Sequence, residues 1–192
     1  MIVYHGTHSI SADNILKNGI DVTYGEESVD NGRGFYTTPG FEFAKQRAVY
    51  AATKALGFYN SLNVSPAILK LDISFPILSS ADLTVKTFDD CSFIWKQFVF
   101  YNRLGKAFIK RWGITSNNHN LDNKFDIVYD ETADSHISAM VSDVIYSKDI
   151  SCLNQLISRV DKANLIYWDK QISFHSVAAL RCINSIELMN IF

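Results

Sequence analysis

Apolar and polar positions along the chain change period several times, and each change marks an element. Ile2, Val3 and Tyr4 are β-branched or aromatic and predict a short strand. From Ser11, the apolar positions Ala12, Ile15 and Leu16 keep helical spacing, and Gly19 follows as a stop. Tyr24 to Gly34, rich in Gly, Ser, Asp and Asn, reads as a loop. Phe35 to Thr37 predicts a second short strand. Thr38 is placed to cap the next helix, with Pro39 in its first turn and Phe41, Ala44, Ala48, Ala51 and Ala55 along one buried face.

Further on, Pro66 to Ser74 alternates. Ala67, Leu69, Leu71 and Ile73 fall on one side and Lys70, Asp72 and Ser74 on the other, which predicts a half-buried strand. Phe93 to Leu104 reads as a helix whose aromatics (Phe93, Trp95, Phe98, Phe100, Tyr101) point all round, implying burial or a partner surface. Gly113 to Asn123 is a loop or small insert, Phe125 to Tyr129 a strand, and Ser135 to Ser147 and Ser151 to Val160 are helices. Leu165 to Trp168 and Ile172 to Phe174 predict short strands, then a helical turn at Val177 to Arg181 and a closing strand at Ile186 to Met189. Short strands mixed with helices predict one α+β domain over residues 1–192. The chain carries no repeat, no Gly-rich dinucleotide fingerprint and no phosphate loop.

Composition narrows the classes. A chain of 192 residues, 47% apolar and 20% charged, can bury a full core. The net charge of −2 disfavours a long nucleic-acid track and leaves a single base open as a target. Cys91, Cys152 and Cys182 are odd in number and widely spaced, against a disulfide framework or a cysteine zinc site and in keeping with a reducing compartment. The first residues do not read as a signal peptide, and no apolar run approaches the roughly 20 residues that span a bilayer. No membrane association is therefore expected, and cytoplasm is the expected compartment. Export as an effector without a cleavable signal would leave the same sequence.

Two constellations carry candidate chemistry. In Tyr4-His5-Gly6-Thr7, a histidine at a strand end can hydrogen-bond a ribose hydroxyl, and Gly6 lets its backbone N–H and C=O approach a planar amide. Taken alone, the tetrapeptide reads first as a turn after a strand. In Gly32-Arg33-Gly34-Phe35-Tyr36-Thr37-Thr38-Pro39, the glycines permit close approach and Tyr36 can stack on an aromatic ligand. Alone, this segment is the start of a strand and a helix cap.

In order and spacing, the two segments together resemble the NAD⁺ site of ADP-ribosyltransferases, in the diphtheria-toxin and poly(ADP-ribose) polymerase branch with its His-Tyr-acid triad. The tail is similar to an uncharacterised bacterial family related to that branch, through Asp126-Ile127-Val128-Tyr129, Ala133-Asp134, Gln171-Ile172-Ser173-Phe174-His175-Ser176 and Ala179-Leu180-Arg181-Cys182. The resemblance implies split antiparallel sheets with flanking helices around an NAD cleft. It implies NAD⁺ as co-substrate, no metal, and transfer of one ADP-ribose to a protein or nucleic-acid acceptor with release of nicotinamide. His5, Tyr36 and Gln171 would form the triad, with Gly6, Thr7, Gly34, Phe35 and Thr37 completing the cofactor site. A toxin or effector role, with an antitoxin or regulatory partner, is compatible with this resemblance.

The sequence departs from that pattern twice. Gln171 stands where a glutamate is usual. It can accept a hydrogen bond from the ribose but cannot act as a general base. This favours single transfer, or an acceptor that supplies its own nucleophile. A site that binds NAD⁺ or ADP-ribose without turnover, an NAD⁺ hydrolase, and an exposed strand start at Gln171 remain the alternatives. Glu131, in a loop after a strand, and Glu187 are rival acids. Arg47 stands where a second aromatic is usual and could meet a phosphate, while Tyr50, one turn on, could substitute for that ring but reads first as core. His8, close to the proposed site, has no motif. His119 reads as loop, and the trio Glu131, Asp134 and His136 as solvated loop rather than a metal site. His175 faces either the cleft or the opposite side.

Overall fold

A computed structural model describes residues 1–57, 63–74, 82–133, 135–147, 151, 153–159 and 169–189. The strand expected at 165–168, together with Cys152 and Asp134, lies outside the described residues. The elements run β1 (Ile2–His8), α1 (Ser9–Asn18), β2 (Phe35–Thr37), α2 (Phe41–Leu56), β3 (Pro66–Ile73), β4 (Val85–Thr87), α3 (Phe93–Arg111), β5 (Ile127–Glu131), α4 (Ser135–Ser147), α5 (Leu153–Arg159), β6 (Lys170–Phe174) and β7 (Ile183–Met189). A short 3₁₀ turn, Ala179–Cys182, leads into β7.

The strands form two sheets. The first has the order β1-β3-β7 and the second β2-β6-β5-β4. All pairings are antiparallel except β4 with β5, which is parallel and departs from the purely antiparallel expectation. The architecture is thus α+β with two sheets. β1 and β2 are edge strands of different sheets, and a single bridge between Tyr4 and Thr38 joins them.

β1 is longer than its composition suggests. It runs unbroken through His5, Gly6 and Thr7, so these residues lie within a strand and not in a turn after one. The two-residue period explains how it is used. Val3 joins the core between the sheets with Leu69, Leu71, Ile127, Ile172 and Phe174. Tyr4 faces α2, where Ala44 and Ala48 pack on Ile68. Gly6 falls on that same face, and α2 crosses it so closely that a Cβ would lie 2.0 Å from the Ala44 carbonyl oxygen. The alanine face of α2 is Ala44, Ala48, Ala52 and Ala55, with Ala52 in place of the expected Ala51. Thr38 does not cap α2. Its Oγ1 accepts from the Gly40 N–H, and Gly40 occupies the N-cap with no side-chain cap.

The aromatic helix α3 extends to Arg111 and is broken at Gly105. Trp95, Phe98, Val99, Phe100 and Tyr101 are buried, while Phe93 is exposed. They form a second core with α4, α5 and Val128 on the outer face of sheet two. β5 alternates accordingly: Ile127 and Tyr129 face the first core, and Val128 faces the second.

The contact of α2 with Gly6 predicts a stability cost. Gly6→Ala should lower the unfolding free energy by about 2–3 kcal/mol in urea titration, because α2 must shift to admit a methyl group. A variant as stable as wild type would show that the helix does not approach so closely.

Candidate functional site

β1 and β2 meet at the Tyr4–Thr38 bridge and separate beyond it. Tyr4 and Thr38 exchange two backbone bonds, Tyr4 N–H to Thr38 O (2.7 Å) and Thr38 N–H to Tyr4 O (2.9 Å). The outward backbone of β1 therefore falls on even-numbered residues. Ser9 N–H bonds Ser65 O and Met1 O accepts from Ile73 N–H, so odd-numbered residues serve the β3 side. Gly6 is two residues beyond Tyr4, and its N–H and C=O point to the same open edge.

A cavity of about 1030 Å³ lies at this seam. From β1 it is lined by His5, Gly6 and Thr7, and from the β2 side by Gly34, Phe35, Tyr36 and Thr37. Gln171 of β6 lines it too, as do Arg47 and Tyr50 of α2. The residues singled out for the triad and the cofactor site thus converge on one cavity. Neither rival acid lines it. Glu131 ends β5, rather than lying in a loop, and pairs with Lys170 at 2.9 Å. Glu187 sits on exposed β7 opposite Lys70.

His5 is held in one tautomer. Its Nδ1 lies 2.6 Å from the Tyr36 carbonyl oxygen, which only accepts, so Nδ1–H is the donor and Nε2 keeps its lone pair. Burial lowers its pKa to about 4, against the Tyr36 carbonyl bond and with a small contribution from Arg47, so the ring is neutral near pH 7. The ring lies on Phe35, centroids 4.4 Å apart. Thr37 Oγ1 donates to Ile172 O at 3.0 Å, which ties β2 to β6.

Tyr36 is fixed at its far end. Its hydroxyl donates to Gly32 O at 2.5 Å and accepts from Asn31 N–H at 3.0 Å. Burial, with the Asp30 charge adding, raises its pKa well above the usual phenol range. Gly34 is constrained by packing, since a Cβ would come 2.6 Å from His175 Nδ1. His175 itself is buried, away from the cavity lining. Its Nδ1–H donates to Arg33 O at 2.7 Å and its Nε2 meets Ser173 Oγ at 2.9 Å.

Gln171 is not an exposed strand start but only 5% exposed. Its Nε2 donates to Asp30 Oδ2 and to Glu131 O, each at 3.3 Å. Asp30, 8% exposed, is the hub that sequence reasoning missed. Its Oδ1 meets Arg103 Nε at 2.6 Å, its Oδ2 accepts from Ala133 N–H at 3.1 Å, and its carbonyl accepts from Asn102 Nδ2 at 2.9 Å. Beside it, Asn31 Nδ2 bonds Asp130 Oδ1 (3.0 Å) and Ser173 Oγ (2.9 Å), and Trp95 Nε1 bonds Asp130 Oδ2 (3.0 Å). Burial raises the Asp130 pKa to about 8, opposed by the Asn31 bond and aided by the Asp30 charge. The available signal was Asn102-Arg103, a polar pair inside an apolar helix, which calls for buried polar partners.

At the mouth, Tyr50 is 58% exposed and not core, and the Arg47 guanidinium lies 5.3 Å from its ring centroid. His8 caps α1, accepting from Ser11 N–H at 3.4 Å, and also lines the cavity. His119 sits in a loop, where its Nδ1 accepts from Leu121 N–H. Among the described residues, no cluster of three or more His, Cys, Asp or Glu could hold a metal ion, and no helix is long and apolar enough to cross a membrane.

A family model described as protein of unknown function DUF3990 matches residues 1–185, and the chain belongs to that family. No curated protein and no solved structure matches the chain.

The buried titrating groups predict a stability maximum. From pH 4 to 6.5 the unfolded chain binds the extra protons at His5 and His175, whose folded values are both lowered from 6.5 to about 4. Asp130 acts oppositely, since the folded chain keeps its proton from 3.8 up to about 8. His5 and His175, joined by His8 and His119 whose values burial also lowers, outweigh Asp130, so stability rises with pH to 6.5. Above that, Asp130 alone makes it fall, by about 1.4 kcal/mol per pH unit, until pH 8. Urea titrations at pH 6.5 and 8 should show this fall in the wild type and its loss in Asp130→Asn. The same fall in both proteins would contradict the assignment.

Proposed function

We propose that the protein binds NAD⁺ in this cavity and transfers its ADP-ribose to a macromolecular acceptor, releasing nicotinamide. The observation that carries this reading is the meeting, at one seam, of the open backbone edge at Gly6, the Nε2 lone pair of His5 and the anchored ring of Tyr36. Each answers a different part of a nicotinamide riboside. The Gly6 N–H and C=O match the carboxamide, which has one acceptor and one donor group. The Tyr36 ring offers a stacking face to the pyridinium. His5 Nε2 accepts from a ribose hydroxyl, because Nδ1–H is committed to the Tyr36 carbonyl.

In the reaction, the bond between nicotinamide nitrogen and ribose C1′ breaks and the electron pair leaves with neutral nicotinamide. Positive charge develops on the ribose, and acceptor atoms directed at it stabilise the transition state. Gln171 Oε1 serves as such an acceptor. Among the described residues, no carboxylate beside Gln171 is free to deprotonate a nucleophile: Asp30, which also lines the cavity, is held by Arg103, and Glu131 by Lys170 away from the cavity, while Glu26 elsewhere in the lining pairs with Lys54. The acceptor therefore brings its own nucleophile, which bonds to C1′ as nicotinamide leaves and gives up its proton to solvent, consistent with single transfer. Arg47, which lines the cavity, would meet a phosphate of the dinucleotide on this reading.

A second reading, binding of NAD⁺ or ADP-ribose without chemistry, is favoured by the same amide at Gln171. An NAD⁺ hydrolase would use the cavity with water as acceptor. One assay separates the three. Nicotinamide release is measured with purified protein, with and without cell lysate, beside Tyr36→Ala and Gln171→Ala. The transfer reading expects release that depends on lysate and falls at least about 100-fold in each variant. Equal release without lysate identifies a hydrolase, and NAD⁺ binding with no release in either condition identifies a binding module.

A further inference from the structure

We propose that Asp30 is a positioning residue for Gln171: its carboxylate holds the Gln171 amide N–H and so presents Oε1 to the ribose. The proposal rests on the NAD⁺-cleavage reading above.

The orientation follows from hydrogen-bond parity. Gln171 Nε2 donates to Asp30 Oδ2 and to Glu131 O, which only accepts, and the amide also donates to the Asp130 carboxyl opposite it across the β5–β6 pair. Turning the amide over would set Oε1 against two acceptors. Oε1 has no hydrogen-bond partner among the described residues, and Gln171 lines the cavity. Asp30 cannot turn away either. Arg103 holds its Oδ1, Ala133 N–H holds its Oδ2, and Asn102 holds its backbone carbonyl. The Asp30–Arg103 pair is almost sealed from water, with side-chain exposures of 11% and 12%, where an ion pair resists exchange with solvent. Orientation therefore passes from Arg103 through Asp30 to Gln171.

The same geometry accounts for an amide at this position. Residue 171 lies opposite Asp130 in the β5–β6 register and 3.3 Å from Asp30. A carboxylate here would face Asp30 across an acceptor–acceptor contact, with Asp130 as a third acid. An amide supplies the required donor and still leaves an oxygen for the ligand. Neutralising Asp30 relieves that repulsion, because an amide at 30 offers the N–H that a carboxylate at 171 can accept, although the same nitrogen then also faces Ala133 N–H.

The test is an exchange of charge. Asp30→Asn, Gln171→Glu and the double variant are compared for nicotinamide release, for the KM of NAD⁺ and for thermal midpoint. Each single variant should lower kcat about 100-fold with KM little changed, because the misdirected acceptor is needed as charge develops. The double variant should return to within about tenfold of wild type. Recovery of the midpoint without recovery of kcat would reduce Asp30 to a structural role and overturn the proposal, as would recovery of neither. Gln171→Glu leaves the Asp30–Arg103 pair intact and decides the matter even if Asp30→Asn does not fold, since kcat at or above wild type overturns the proposal. Wild-type protein that neither binds NAD⁺ nor releases nicotinamide overturns the reading beneath it. Wild-type activity with no rescue overturns the proposal alone.

Discussion

A buried carboxylate organises this protein. Asp30 leaves water on a polar loop and enters the interior, where an unpaired charge would be costly. Its oxygens are satisfied by three segments distant in sequence: Arg103 on α3, the Ala133 backbone after β5, and Gln171 on β6. That requirement pulls the 29–34 loop against sheet two. The next residue, Asn31, then reaches Asp130 and Ser173, and Gly32 and Asn31 fix the Tyr36 hydroxyl. One ion pair thereby sets the loop, the ring of Tyr36 and the amide of Gln171 together.

The second constraint is geometric. Two sheets share a seam because β1 and β2 are both edges and bond each other only around Tyr4 and Thr38. Beyond that bridge the strands diverge, and the polar backbone of β1 is left facing the gap. An open edge is normally a liability. Here it faces a walled cavity, covered on its far side by α2 packed directly on Gly6. The edge is shielded from other strands and stays accessible to a small ligand with amide-like donors and acceptors.

Most polar groups of the site are neutral or fully paired. His5 and His175 lose their charge through burial, Asp130 keeps its proton, and Asp30 is compensated by Arg103. Around Gln171 and Tyr36 the site holds fixed dipoles and one locked ion pair, with further charges such as Arg47 elsewhere in the lining, and on the proposed reading this suits a ligand whose own charge changes during reaction, because the surroundings need little reorganisation.

Period and composition alone determined much of this architecture. The alternation from Ala67 to Ile73, the helix over Ser135–Ser147, the loop from Tyr24 to Gly34 and the α+β class follow from local patterns, because side-chain periodicity reports which face meets a core. His5, Gly6 and Tyr36 were legible as candidates through the resemblance that their two segments together bear to a known site, since each segment alone reads as structural. The tertiary structure decided the rest. Local sequence could not show that β1 continues through Gly6, since a glycine there reads as a turn until α2 is seen crossing it. Nor could it reveal that Tyr50 faces solvent or that Gln171 is buried, because both depend on which element lies opposite. Asp30, Arg103 and Asp130 were invisible as a unit for the same reason. They are separated by 73 and 27 positions along the chain, and only the fold brings them within reach of one another.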